Sequence, residues 1–176
     1  EDEYPFGQWD YQAFYEEDFA RAIAPFDANP TNAVKALSRK GLPEMRGKVW
    51  RNATMRRDGG WFGGADRPPE MPLDERVLSP DDHAIYAEAL GRNGFFGPNA
   101  WYMNHARNAE YATTVVNDGV LEMPALFLGA RYDVTCETMT SRLAEPMAEY
   151  CRDLTTATVD SGHWMAQEKP VAVNRA

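Results

Sequence analysis

Two residues of this 176-residue chain have the types and spacing of an acid–base pair. Asp133 ends the run Leu126-Phe-Leu-Gly-Ala-Arg-Tyr-Asp133, and His163 lies thirty positions later in Val159-Asp-Ser-Gly-His163-Trp164. Each follows a short β-rich run, so each stands just past the carboxyl end of a strand, where the loops of open α/β sheets build binding sites. A neutral imidazole takes a proton from water on one ring nitrogen while the other donates to a carboxylate that fixes its orientation. Singly, Asp133 also reads as a turn former and His163 as a satisfied core histidine. Placed at the same edge of adjacent strands, they read instead as the acid and base arms of a hydrolase triad. No nucleophile is visible to complete it.

The elements that must deliver these residues are legible from composition. Met123-Pro-Ala-Leu-Phe-Leu-Gly129 and Leu154-Thr-Thr-Ala-Thr-Val159 predict strands, the first apolar enough to be covered on both faces. Between them Met139, Leu143, Met147 and Tyr150 predict a helix that Pro146 should kink or shorten. Strand, helix, strand implies a right-handed crossover and a parallel pair. Two parallel strands do not stand alone, so the expectation is the edge of a larger sheet whose earlier strands precede residue 1. The expected fold class is α/β, with a helical subdomain over residues 1–118 followed by a core portion over 119–176.

The first part reads as helices. From Tyr11, apolar residues recur at Phe14, Tyr15, Phe19, Ala22, Ile23 and Phe26 at helical spacing, with Asp10 placed to cap. Asn29-Pro30 opens a second helix that buries Ala33, Val34 and Leu37 and stops at Lys40-Gly41. Residues 42–78 form an irregular connection, with seven glycines and prolines between Gly59 and Pro72. Ser79-Pro80-Asp81-Asp82 starts a helix that turns Ile85, Tyr86, Ala89 and Leu90 inward and ends near Asn93-Gly94. After Gly97-Pro98 a fourth helix packs Trp101, Tyr102, Tyr111, Ala112 and Val115, ending at Asn117-Asp118-Gly119. On such faces Tyr11 and Tyr86 read, from periodicity alone, as core tyrosines.

Composition excludes several classes. The net charge of −9 would repel a phosphate backbone, so no nucleic-acid partner is expected. The basic run Arg46, Lys48, Arg51, Arg56 and Arg57 reads as a solvated loop rather than an anion patch. No apolar run approaches the roughly 20 residues of a membrane span, and Glu1-Asp2-Glu3-Tyr4 is not the start of a signal peptide. The default is a soluble, cytoplasmic protein. Cys136 and Cys151 flank the helix expected between the strands, whose length separates them too far for a disulfide, so both are expected as free thiols. Asn52-Ala53-Thr54 matches a glycosylation acceptor but carries little weight without a signal peptide. His83 and His105 lack companion carboxylates at ligand spacing, and no zinc cluster, Walker loop or dinucleotide fingerprint is present. No metal and no cofactor are expected.

Four stretches together resemble the soluble epoxide hydrolases of the α/β-hydrolase superfamily. They are Trp9-Asp10-Tyr11-Gln12-Ala13-Phe14-Tyr15-Glu16-Glu17, Gly59-Gly60-Trp61-Phe62, the run from Tyr86 through Gly94-Phe95-Phe96-Gly97-Pro98-Asn99-Ala100-Trp101-Tyr102-Met103-Asn104, and Gly162-His163-Trp164 with Glu168-Lys169-Pro170. The strand-end Asp and Gly-His-Trp are shared across the superfamily; the first and third stretches are far more specific. The resemblance implies a partial α/β-hydrolase fold, a helical cap followed by the last strand-helix-strand unit of the core sheet. It further implies that Tyr11 and Tyr86 are the two cap tyrosines, Asp133 the acid and His163 the base, with Phe14, Phe95, Trp101 and Trp164 as candidate walls of the substrate pocket.

The implied chemistry adds water to an epoxide to give a vicinal diol. Ring opening releases an alkoxide, so phenol donors at the ring oxygen stabilise charge that appears only in the transition state. A carboxylate forms an alkyl ester on the ring carbon, and the imidazole activates water to cleave it. Members of the family carry that nucleophilic aspartate, beside a tryptophan, and a His-Gly-x-Pro oxyanion loop in the N-terminal half. Neither occurs here, so the missing N-terminal part is the expected partner and the chain alone is expected to lack turnover. A dehalogenase of haloalkanes or haloacids uses the same Asp, Asp and His logic but needs halide donors rather than paired phenols. A noncatalytic binding protein that has lost its nucleophile is the other alternative.

Overall fold

The computed structural model describes residues 3–176, which pack as two units: residues 3–39 with Val49–Asn104, and Lys40–Lys48 with His105–Ala176. Residues 105–118, expected in the helical subdomain, group with the second unit.

The first unit is helical. The expected helix from residue 11 to 26 is two, α1 (Asp10–Glu17) and α2 (Phe19–Ala28), broken where Asp18 leaves the helical region at φ −153° and accepts a hydrogen bond from the Arg21 N–H as a cap. Asp10 does not cap. Its carboxylate accepts from the Arg56 backbone N–H at 2.8 Å and from Nε at 2.6 Å, and the Arg56 guanidinium also reaches Glu17 at 2.8 Å. Part of the basic run is therefore tied to acidic partners on α1. Asn29 caps α3 (Pro30–Leu37), which stops three residues earlier than expected. Among the turns of the following connection, Asn52 is buried and its amide donates to the Gln8 carbonyl at 3.0 Å, which argues against a glycan there.

Ser79 and Asp82 form the reciprocal cap of α4 (Pro80–Asn93), and Gly94 at φ 72° ends it. Leu90 packs with Leu37 against the cluster of Phe26, Ala33 and Phe95, but Ile85 and Tyr86 face outward, contrary to the inward face expected. The start signal at Ser79–Asp82 and the apolar face identified the helix, but only part of that apolar stripe meets another element. The expected fourth helix divides into α5 (Phe96–Ala100), a single 3-10 turn at Trp101–Met103, and, in the second unit, α6 (His105–Ala112). Trp101, Tyr111 and Val115, expected to be packed, are exposed.

The first unit's main core gathers Tyr11, Phe14, Tyr15, Ala22 and Met55. Tyr15 braces it: its hydroxyl accepts from Trp61 Nε1 at 2.9 Å and donates to Asn99 Oδ1, whose amide donates to the Phe95 carbonyl at 2.8 Å. Its ring stacks on Tyr102 with centroids 5.5 Å apart. Burial pushes the Tyr15 phenol well above its ordinary pKa, more than the Trp61 hydrogen bond lowers it, so it serves as a neutral structural bridge.

The second unit carries the sheet. β1 (Leu121–Ala130) and β2 (Cys151–Val159) pair in parallel, as expected, and between them lie a 3-10 turn at Arg142–Ala144 and a short helix, α7 (Glu145–Tyr150). The chain from 131 to 141 is spent on turns, and Pro146 sits in the first turn of α7, where its missing N–H costs nothing. Both cysteines are free, though the long helix that was to separate them is absent. Met123 and Leu126 of β1 are exposed. Two short helices, α8 (Met165–Glu168) and α9 (Pro170–Val173), follow β2.

Replacing Tyr15 by Phe removes the hydroxyl that joins Trp61 to Asn99 and takes this partner from the buried Asn99 oxygen and the partly buried Trp61 N–H. We expect a loss of about 1–3 kcal/mol, seen as a lower urea midpoint at an unchanged slope. An unaltered midpoint would show that the bridge is not structural.

Candidate active site

The β1–β2 register fixes where Asp133 and His163 emerge. Gly129 pairs with Thr158 and Ala130 with Val159, and the ladder continues past both strands: the Arg131 N–H donates to the Val159 carbonyl and the Tyr132 N–H to the Ser161 carbonyl, each at 2.9 Å. The residues immediately before Asp133 and just before His163 are thus held in phase by backbone alone.

Asp133 then turns sharply. Its Oδ1 accepts from the backbone N–H groups of Thr135 at 2.8 Å and Cys136 at 2.9 Å, which aims the carboxylate across the strand end. His163 Nδ1 lies 3.0 Å from Asp133 Oδ2 and 3.3 Å from Oδ1. The carboxylate side chain is only 10% exposed and the imidazole 43%. Burial pushes the Asp133 carboxyl upward, but the hydrogen bonds from His163 and from the two backbone N–H groups outweigh it and hold the pKa below the ordinary value. The same contact raises the His163 pKa against its partial burial. Nδ1 is the ring nitrogen turned to the carboxylate, which leaves Nε2 on the side of the ring away from that contact.

Cys136 completes a grouping that sequence spacing did not reveal. The ligand atoms of Asp133, Cys136 and His163 lie within 4.8 Å of one another, the one such trio of potential metal ligands among the described residues. The carboxylate is already engaged by the imidazole and by two backbone donors, and burial with the Asp133 charge pushes the thiol up to about 11, so it stays protonated at neutral pH. The turn after Asp133 creates this proximity, and turns of this kind are not marked by periodicity.

The remaining candidates fall in different surroundings. Tyr11 is buried on α1 among aromatic rings, with Tyr102 at 5.3 Å and Trp61 at 5.6 Å between centroids, and its hydroxyl accepts from the Gln12 amide at 2.9 Å. Tyr86 is on α4 and about half exposed. Phe14 and Phe95 are buried in the two clusters of the first unit and Trp101 is exposed. Trp164, also proposed as a pocket wall, lies beside His163, its ring edge-on at 5.4 Å.

A raised His163 pKa and a lowered Asp133 pKa bracket the pH range of the contact. The His163 contribution to stability is fully present below the ordinary imidazole pKa and is lost as pH rises through the raised folded value. The Asp133 contribution is present above the ordinary carboxyl pKa and is lost as pH falls through the depressed folded value. An NMR titration of the His163 ring should give a midpoint above 6.5, and Asp133→Asn should bring it down. A midpoint that ignores this substitution would dissolve the pair.

Known proteins similar to this chain are epoxide hydrolases by name. No protein-family model matches the chain. It is 30% identical over 118 residues to the bifunctional epoxide hydrolase 2 of Sus scrofa, covering 66% of this chain and 20% of that protein. It is 29% identical over 174 residues to epoxide hydrolase A of Mycobacterium tuberculosis, covering 97% of this chain and 52% of that one. Among solved structures, epoxide hydrolase A from Mycobacterium thermoresistibile superposes with a TM-score of 0.61 at 24% identity over 94% of this chain and 49% of that chain. A Vigna radiata epoxide hydrolase mutant superposes with a TM-score of 0.67 at 19% identity, covering 97% and 52%. The chain therefore spans about a fifth of the pig protein and about half of the others. In sequence this chain is a relative of the epoxide hydrolases, and in structure it carries a partial α/β-hydrolase fold.

Proposed function

We propose that the complete protein is an epoxide hydrolase that adds water to an epoxide and releases a vicinal diol. In this reading a carboxylate from the part of the relatives' length that this chain does not span attacks a ring carbon and breaks its bond to the ring oxygen. Tyr11 and Tyr86 donate hydrogen bonds to that oxygen, and one of their protons passes to the alkoxide. The product is an alkyl ester on the enzyme. His163 Nε2 then takes a proton from water as the water attacks the ester carbonyl, and Asp133 stabilises the imidazolium that forms. Collapse frees the diol and the carboxylate, and the imidazolium proton returns the tyrosine to its neutral form.

The observation that carries this reading is the 3.0 Å contact of His163 Nδ1 with Asp133 at the ends of paired parallel strands, in a chain whose curated relatives are named epoxide hydrolases. It orients a base that ester hydrolysis requires. Small-molecule epoxide and water are the implied partners, and no cofactor enters the steps. Among the described residues no helix is long and apolar enough to cross a membrane.

Full-length protein assayed on styrene oxide and on a haloalkane should yield diol from the first and no halide from the second; halide without diol would replace this reading with dehalogenation. Tyr11→Phe and Tyr86→Phe should each lower kcat by roughly five- to two-hundredfold. Either variant turning over at the wild-type rate would remove that tyrosine from the chemistry.

A further inference from the structure

We infer that Glu168 is a positioning residue for the base, clamping the backbone from which His163 projects. Its Oε1 accepts from the Gly162 N–H at 3.0 Å and its Oε2 lies 3.1 Å from the same nitrogen, while Oε1 also accepts from the Gly41 N–H at 3.2 Å. The first contact closes residues 162–168 into a small ring that contains His163. The second ties that ring to a segment 127 residues away in sequence.

Gly41 is wedged where this matters. A Cβ built on it would lie 2.2 Å from Gly162 Cα and 3.2 Å from Tyr132 Cβ, and a Cβ on Gly162 would lie 2.5 Å from Gly41 Cα. Only two glycines fit there. Gly41 therefore abuts the residues immediately before both the acid and the base, and Glu168 is the side chain that locks it to one of them. Two backbone donors meeting one carboxylate make charge-assisted hydrogen bonds, stronger than neutral ones. A shift of the Gly162 peptide would swing the imidazole relative to Asp133. Misplacement by about 1 Å is enough to cost a factor of order one hundred in a positioned reaction.

The catalytic consequence rests on the epoxide-hydrolase reading, whereas the positioning does not, and the test keeps them apart. In the full-length protein, Glu168→Ala should lower the NMR titration midpoint of His163 toward the ordinary imidazole value. In single turnovers of styrene oxide it should slow hydrolysis of the alkyl ester by roughly ten- to hundredfold, with ester formation far less affected. Glu168→Gln should restore most of both, since one carbonyl oxygen in place of Oε1 can accept from both N–H groups. Should the alanine variant be insoluble, Glu168→Asp, whose oxygens are withdrawn by one methylene, gives the same reading. A lowered melting temperature with the His163 titration and the ratio of the two rates unchanged would overturn the proposal and leave Glu168 as a turn closure. If no variant or parent makes diol, the functional reading fails, and the His163 titration alone still decides the role of Glu168.

Discussion

The structure depends on two chain segments leaving adjacent parallel strands in phase. Because Ala130 pairs with Val159 and the ladder runs on through Arg131 and Tyr132, an acid three residues past one strand meets an imidazole four residues past the other. A shift in pairing register would turn alternate side chains to the opposite face and separate them. A buried carboxylate is unfavourable without partners. Asp133 has three, two from its own turn and one from His163, so the ion is stabilised by groups that also aim it. Electrostatics and orientation here are one arrangement.

The main core of the helical unit is organised around aromatic rings. Tyr15, joined to Trp61 and Asn99, braces the cluster in which Tyr11 is held, so Tyr11 is buried among packed rings while Tyr86 stands on a more exposed helix face. On the sheet, the exposure of Met123 and Leu126 is what a parallel strand would show where further strands or helices cover it. This fits a chain that spans about half the length of its mycobacterial relative.

The parts of the fold that local rules govern were legible in the sequence. The apolar run 123–129, the β-branched run 154–159, the caps at Asn29 and Ser79, and the glycine-rich connection all correspond to observed elements. The pairing of Asp133 with His163 followed from strand-end placement. What tertiary contacts decide was not legible. Periodicity cannot say that Asp18 breaks a helix to cap the next, or that Asp10 prefers Arg56 to its own helix end. Nor can it say that Ile85, Tyr86 and Trp101 face outward, because an apolar stripe indicates what could be buried, not what covers it. The Glu168 contacts reach from α8 back to Gly162 and across to Gly41, a meeting that only the folded chain creates.

The most direct test follows oxygen through a single turnover. Full-length protein in excess over styrene oxide, reacted in water enriched in oxygen-18, should release a first diol whose added oxygen is unlabelled, having come from a protein carboxylate, while the label appears in the protein. A first diol carrying solvent oxygen would mean that water attacks the epoxide itself, and the ester-cleaving role assigned to His163 and Asp133 would be wrong.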